Sequence, residues 1–170
     1  MKLLSTFLLM LLAVCATSAS ATDAPTLEAG LIKAMTLKPG TTDRLGDSGV
    51  ALQAYIKAGY MDPKPNQRAD YTDYRLLKKP TMLMGHTLVL IEEEYMTRHI
   101  GCCVSPGVGV TVRMSGSTDK LEKFAEKNGC SFDGAADPNE QLKTYGIKAN
   151  LPKGKYVALS CREREALKLD

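Results

Sequence analysis

Residues 87–94 read Thr-Leu-Val-Leu-Ile-Glu-Glu-Glu, and the prediction of the fold starts from them. Apolar side chains occupy odd and even positions alike from Leu88 to Ile91, which is typical of a strand that is buried on both faces in the middle of a sheet. Leu88, Ile91 and Tyr95 also fit the helical period of about 3.6 residues, so a helix over the same stretch is the alternative.

Three further segments alternate in polarity as strands do, and they cover residues 71–77, 108–114 and 155–161. In the second of them, valines at every other position alternate with glycine, threonine and arginine after a Ser-Pro-Gly turn, which indicates a half-buried strand. Together with residues 87–94, these segments predict a mostly antiparallel sheet.

Helix signals flank these strands. Helices are predicted over residues 27–35 and 50–58, and a third ends at the pair 128–129, which reads Asn-Gly. A fourth begins at residues 137–140, Asp-Pro-Asn-Glu, which supply a capping oxygen, a proline at the first helical position and a glutamate at the third.

These elements predict a single α+β domain. It would have a mostly antiparallel sheet of four to five strands and two to four helices on one face, stapled by disulfides. Residues 71–170 would form this core. Residues 22–70 are interpreted as an N-terminal extension with a short helix and a connector that contains Pro63 and Pro65.

The N-terminus has the three parts of a cleavable secretory signal in residues 1–21. Lys2 precedes an apolar run that is too short to span a bilayer, and Ala19-Ser20-Ala21 has the pattern that signal peptidase recognises. We therefore expect cleavage after Ala21 and a periplasmic or secreted product. Lipid anchoring at Cys15 is the alternative, and Val14 before it departs from the small residue that such a site normally has.

Composition excludes several classes of partner. The net charge of +3 falls by one when Lys2 is removed, and no block of lysine or arginine stands out. That balance argues against nucleic acid and against an anionic membrane surface. Beyond the signal, no apolar stretch is long enough for a transmembrane segment, and no sequence typical of a cofactor-binding loop occurs.

Four cysteines remain after the signal: Cys102, Cys103, Cys130 and Cys161. An even number in an oxidising compartment favours disulfides. A bond between the adjacent Cys102 and Cys103 would close a strained ring of eight atoms. We therefore expect each of these two to reach Cys130 or Cys161, and both crossings stay open.

A metal site is the first alternative reading of the same region. His86, His99, Cys102 and Cys103 lie close together in the sequence, and imidazole with thiolate suits zinc or copper. The spacing is not that of a structural zinc site, and disulfide formation would remove the thiolates. We therefore expect no metal and no other cofactor.

A small hydrolase is the second alternative. Cys102 or Cys103 could act as a nucleophile with a histidine as base, although their Gly-Pro-rich surroundings indicate a loop rather than a helix N-terminus. Glu92 and Glu94 would share one face of a strand and could act as paired carboxylates. A run of charges at the end of a buried strand is more typically its solvated end, with Arg75 and Arg98 as natural ion-pair partners. No catalytic residue is therefore predicted.

An exported domain with no coherent catalytic set is most consistent with a non-catalytic protein that binds another exported protein, as inhibitors and immunity proteins do. Tyrosine adds contact area with a polar tip at such surfaces. The candidate interaction residues are Tyr71, Asp73, Tyr74, Glu92, Glu94 and Arg98.

Overall fold

The computed structural model describes residues 23–96, 98, 100 and 102–167, so the predicted signal, Cys15 and His99 lie outside the described residues. In chain order the elements are α1 (Asp23–Met35), α2 (Ser48–Lys57), β1 (Gln67–Ala69), β2 (Thr72–Leu76), β3 (Met82–Leu83), β4 (His86–Glu94), β5 (Gly107–Arg113), α3 (Asp119–Lys127), β6 (Ser131–Asp133), α4 (Pro138–Thr144), β7 (Tyr156–Arg162) and α5 (Glu163–Ala166).

One sheet organises the chain. Its strands lie in the order β1-β2-β4-β5-β7-β6, every neighbouring pair is antiparallel, and β3 pairs with the start of β4. The α+β class and the antiparallel sheet are confirmed. The described residues contain seven strands and five helices, which is more than predicted. The additional strands β1, β3 and β6 have only two or three residues, too few to show a period in the sequence.

The strand over residues 87–94 is confirmed at the centre of the sheet, and the helical alternative is wrong. β4 pairs with β2 on one side and with β5 on the other. A bulge between Leu88 and Leu90 changes the alternation, so Leu88 and Ile91 face one side of the sheet while Leu90 faces the other. Apolar residues of both parities are therefore buried, in two separate clusters.

The larger cluster joins the sheet to α1, α2 and α3, with Leu31, Tyr55 and Leu121 packed among the strand residues. The segment set apart in the sequence as residues 22–70 therefore contributes to the same core as the sheet. The smaller cluster lies on the opposite face, where Leu142 of α4 packs on β2 and β4. The prediction that all helices lie on one face is thus wrong, because Leu90 turns to the second face at the bulge and leaves an apolar surface for α4 to cover.

The helix start predicted from the capping pattern of residues 137–140 forms as expected. Asp137 accepts hydrogen bonds from the amides of Asn139 and Glu140, with Pro138 in the first turn of α4. Asp47 caps α2 by accepting from the amide of Val50. Among the described residues, no helix combines the length and apolar character needed to cross a bilayer.

The disulfide in the described chain joins Cys130 to Cys161, so the expected crossing from Cys102 and Cys103 is wrong. Cys161 lies on the face of β7 that joins the larger core, opposite Val108 of β5, and Cys130 follows the end of α3. The two are neighbours because β6 pairs antiparallel with β7, with Ser131 opposite Ser160, which brings the preceding Cys130 across from Cys161. Cys102 and Cys103 are free thiols, exposed in the loop between β4 and β5.

Candidate interaction cleft

A cleft of about 460 Å³ opens where β4 ends and β5 begins. Its walls come from the end of α1 with the loop after it, the start of α2, the β4–β5 loop and the start of α5. We call it the acidic cleft, because its lining contributes five carboxylates and one guanidinium, that of Arg44. The carboxylates are those of Asp43, Asp47, Glu93, Glu94 and Glu163.

The start of α2 is held against the end of β4. Asp47 accepts from the amide of Val50 at 2.7 Å, which begins the helix at Ser48. The hydroxyl of Ser48 then donates to Oε1 of Glu93 at 3.2 Å. The positive end of the helix dipole favours both carboxylates at this place, which is why acidic residues can gather here at limited cost.

Among the carboxylates of the acidic cleft, Glu93 is the one that is buried and makes no ion pair in the part of the chain that the structure describes. It is only 8% exposed, and burial raises its pKa from the ordinary 4.5. Asp47 and Asp73 raise it further, whereas the Ser48 hydrogen bond and the charge of Arg75 oppose the shift. Among the described residues, the ion pairs around Glu93 go to its neighbours and not to Glu93 itself.

Asp73 of β2 lies opposite Glu93 of β4, and Asp73 pairs with the nearby arginines. Arg68 binds its two carboxylate oxygens at 2.6 and 3.0 Å, and Arg75 binds one of them at 3.0 Å. Arg75 is itself fixed by the main-chain carbonyls of Asp62 and Pro63. These bonds leave Asp73 neutralised and Glu93 without a direct partner of opposite charge.

Glu92 and Glu94 turn to the other face of the sheet, where Arg162 of β7 lies between them. Nη2 of Arg162 is 2.9 Å from Glu92, and its Nε is 3.6 Å from Glu94. Glu92 also accepts from Gln141 at 2.7 Å, and Glu94 accepts from the amide of Ser105 at 2.7 Å. The prediction that the three glutamates are a solvated strand end is therefore wrong, since the fold brings Arg162 to them from a distant part of the chain.

Close backbone packing forms one side of the cleft. At Gly107, with φ of 138°, a Cβ atom would lie 2.6 Å from the carbonyl oxygen of Cys161. Arg44 lies beside it, and its guanidinium donates to the carbonyls of Met35, Asn128 and Arg162 at 2.9, 2.5 and 3.0 Å. Burial lowers the pKa of Arg44. Because its guanidinium is tied to main-chain carbonyls, Arg44 does not pair with the carboxylates of the cleft.

Exposed apolar side chains border the acidic cleft. Tyr95 and Ile100 line it with 42% and 46% of their surface exposed. A smaller hollow of about 170 Å³ adjoins it, sharing Ile100 with the cleft and adding Leu167, which is 54% exposed. The guanidinium of Arg68 lies 4.9 Å from the centre of the Tyr95 ring, which holds the ring at the rim.

The structure separates the six interaction residues predicted from the sequence. Tyr71 and Arg98 are exposed. Asp73, Tyr74 and Glu94 are buried, and the side chain of Glu92 is 12% exposed. Tyr74 stacks on Tyr145 with ring centres 4.4 Å apart, so it belongs to the smaller core. Of the buried members, Glu94 lines the acidic cleft.

The metal alternative loses one of its ligands in the structure. His86 begins β4, whereas Cys102 and Cys103 follow its far end, and Nδ1 of His86 accepts from the amide of Ser115 at 3.1 Å. His99 lies outside the described residues. The described part of the chain holds no group of three or more histidine, cysteine or acidic side chains placed to bind a metal ion. The hydrolase alternative also weakens, because Glu92 and Glu94 are already hydrogen-bonded to protein partners.

Sequence reasoning missed three residues that line the cleft, Arg44, Ser48 and Glu93, and it missed Arg162, which pairs with Glu94. Only the capping pattern at residues 47–48 carries a local signal for one of them. Comparison with models of known protein families gives no match, and no curated protein or solved structure is significantly similar to this chain.

Proposed function

We propose that this protein is an exported, non-catalytic binding domain whose acidic cleft takes a lysine or arginine side chain of another exported protein. The observation that carries the proposal is the position of Glu93. Its carboxylate is 8% exposed, lines the cleft and has a hydroxyl rather than a cation as its partner.

Charge complementarity favours a basic ligand. Glu94 is neutralised by Arg162, but Asp47, Glu93 and Glu163 line the same cleft without an ion pair among the described residues. A cationic side chain in the cleft would meet Glu93 in partly desolvated surroundings, where an ion pair gains more than at an exposed surface.

The apolar rim favours a protein as the source of that side chain. Tyr95, Ile100 and Leu167 are exposed around the two adjoining hollows, and interfaces commonly bury aromatic and aliphatic side chains around a polar contact. A free amine would use the carboxylates alone, whereas a peptide segment would also cover the rim.

The test uses short synthetic peptides with a central lysine between leucines, and matched peptides with glutamate in place of the lysine. Isothermal titration calorimetry of residues 22–170 should detect the lysine peptide and not the glutamate peptide. Glu93→Gln should weaken the lysine peptide about tenfold, equivalent to ~1.4 kcal/mol. Glu126→Gln is the matched control, because it removes the same charge from an exposed position of α3 outside the cleft. Equal affinity for both peptides would contradict the proposal.

Export is tested separately by sequencing the N-terminus of the protein recovered outside the cytoplasm. The expected first residue is Thr22, and replacement of Ala21 by a bulky residue should leave the precursor uncleaved. A mature protein that begins at Cys15 and carries a lipid would support the anchored alternative instead.

A further inference from the structure

Cys102 and Cys103 are adjacent in the sequence and exposed, with their Sγ atoms 2.8 Å apart. Two thiolates bound to one tetrahedral zinc ion at about 2.3 Å each would be roughly 3.8 Å apart. A disulfide has its sulfurs at about 2.05 Å. The separation is too short for a shared metal ion and is that of two free thiols in hydrogen-bond contact, which is close enough for one sulfur to reach the other.

We propose that Cys102 and Cys103 form a reversible thiol–disulfide exchange site, closed by low-molecular-weight disulfides and opened by the corresponding thiols. The proposal does not rest on the proposed function of the acidic cleft, and the two cysteines line the smaller hollow that adjoins the cleft. It reverses our expectation from the sequence, which paired each of these cysteines with Cys130 or Cys161. Those two sulfurs are bonded to each other, and Cys161 is completely buried.

The loop keeps the pair at the surface. Ile100 and Val104 form a bridge that closes the turn around the two cysteines, and Val104 is only 3% exposed. Ser105 then fixes the base of the loop, since its amide donates to Glu94 at 2.7 Å and its hydroxyl accepts from the amide of Arg164 at 2.8 Å. The anchored base and the exposed thiols present the pair to a small reagent and not to the core.

The exchange balances with a disulfide such as oxidised glutathione as the oxidant. One cysteine attacks a sulfur of the donor, forming a mixed disulfide and releasing one glutathione thiol. The second cysteine attacks the protein-side sulfur of that mixed disulfide and releases the other glutathione. The two cysteine protons end on the two released thiols, two electrons pass to the donor, and one protein disulfide is formed.

The experiment exposes the folded mature chain to mixtures of reduced and oxidised glutathione, then blocks free thiols with iodoacetamide and maps peptides by mass spectrometry. The expected oxidised form contains one peptide with Cys102 and Cys103 lighter by two hydrogen atoms and unmodified. This bond should open at a reduced-glutathione concentration at least about tenfold below the one that opens Cys130–Cys161, because exposed disulfides exchange more readily than buried ones.

The single variants Cys102→Ser and Cys103→Ser test the two-step route. Each should accumulate one glutathione as a stable mixed disulfide, because the second thiol that would release it is absent. Alkylation of both thiols in wild-type protein after oxidation, or a disulfide from either cysteine to Cys130, Cys161 or a second chain, would overturn the proposal. If a variant does not fold, the peptide map of the wild-type chain decides the question alone.

Discussion

Asp73 and Glu93 lie directly opposite each other on adjacent antiparallel strands, and both carboxylates are buried, at 2% and 8% exposure. Like charges in this arrangement oppose folding. Arg68 and Arg75 bind Asp73 and compensate its charge. Glu93 has no such ion pair among the described residues, and its pKa is raised by burial and by the neighbouring carboxylates. A buried carboxylate that opposes folding and lines a cleft is expected of a binding site, because the stability of such sites is commonly lower than it could be.

Replacement of Glu93 by glutamine should stabilise the protein at neutral pH by several tenths to about 1 kcal/mol. A carboxyl whose pKa is raised on folding binds more protons in the native state than in the unfolded state. The destabilising effect of the Glu93 carboxylate therefore grows as pH rises from the ordinary pKa of 4.5 through the raised pKa.

The measurement is urea unfolding of the wild type and Glu93→Gln across that pH range. The gain from the substitution should be small in acid and should grow until Glu93 is fully ionised. Glu126→Gln should show no such growth, since Glu126 is exposed on α3. A substitution that destabilises the protein equally at every pH would show that Glu93 contributes to the fold through its hydrogen bond to Ser48.

Affinity for the lysine peptide should decrease as pH falls through the raised pKa of Glu93. The bound cation requires the ionised carboxylate, whereas burial in the free domain raises the pKa of Glu93 and so opposes ionisation. The other charged groups that act on Glu93 are Asp47 at the start of α2 and Asp73 and Arg75 on β2. Calorimetric titration at a series of pH values measures this, and the lysine peptide itself keeps its charge throughout.

The substitution Glu93→Gln should remove most of that pH dependence, while Glu126→Gln should retain it. An affinity that stays constant with pH in the wild type would contradict Glu93 as the group that receives the cation.

Replacement of Arg162 by methionine should destabilise the protein by about 3–5 kcal/mol, because it leaves two carboxylates buried without their cation. The side chains of Arg162, Glu92 and Glu94 are 10%, 12% and 4% exposed, so water cannot replace the lost ion pair readily. Chemical unfolding at neutral pH provides the value.

The comparison variant is Lys143→Met, which breaks the exposed pair with Glu140 and should cost less than about 1 kcal/mol. A loss that is the same for both variants would show that Arg162 contributes only surface charge.

The sequence predicts those features that depend on neighbouring residues. The central strand β4 and the start of α4 follow from the polarity of residues 87–94 and the capping pattern of residues 137–140. The burial of Glu92 and Glu94 depends instead on Arg162, which reaches them because β5 lies between β4 and β7. No local sequence pattern shows how these three strands pair.

The candidate site was predicted only in part for the same reason. Glu94 was singled out from the sequence, and it does line the acidic cleft. Glu93, its immediate neighbour, is not among the predicted residues. The alternation of polarity shows on which face of the sheet a side chain lies, but it does not show which carboxylate pairs with an arginine. The disulfide shows the same limit, since Cys130 meets Cys161 only when β6 pairs with β7.

The reactivity of the reduced pair should increase with pH well above neutrality. The hydrogen bond between Cys102 and Cys103 raises the pKa of the Cys102 thiol, and only the thiolate attacks a disulfide or an alkylating reagent. The rate of labelling by iodoacetamide, followed by intact mass at several pH values, should rise more steeply in alkali for the wild type than for a single exposed cysteine in a model peptide.

Cys103→Ser keeps a neighbouring hydroxyl but removes the second thiol, so its remaining Cys102 should label faster at neutral pH. Rapid labelling of both thiols at neutral pH in the wild type would contradict the hydrogen-bonded pair and would leave two independent exposed cysteines.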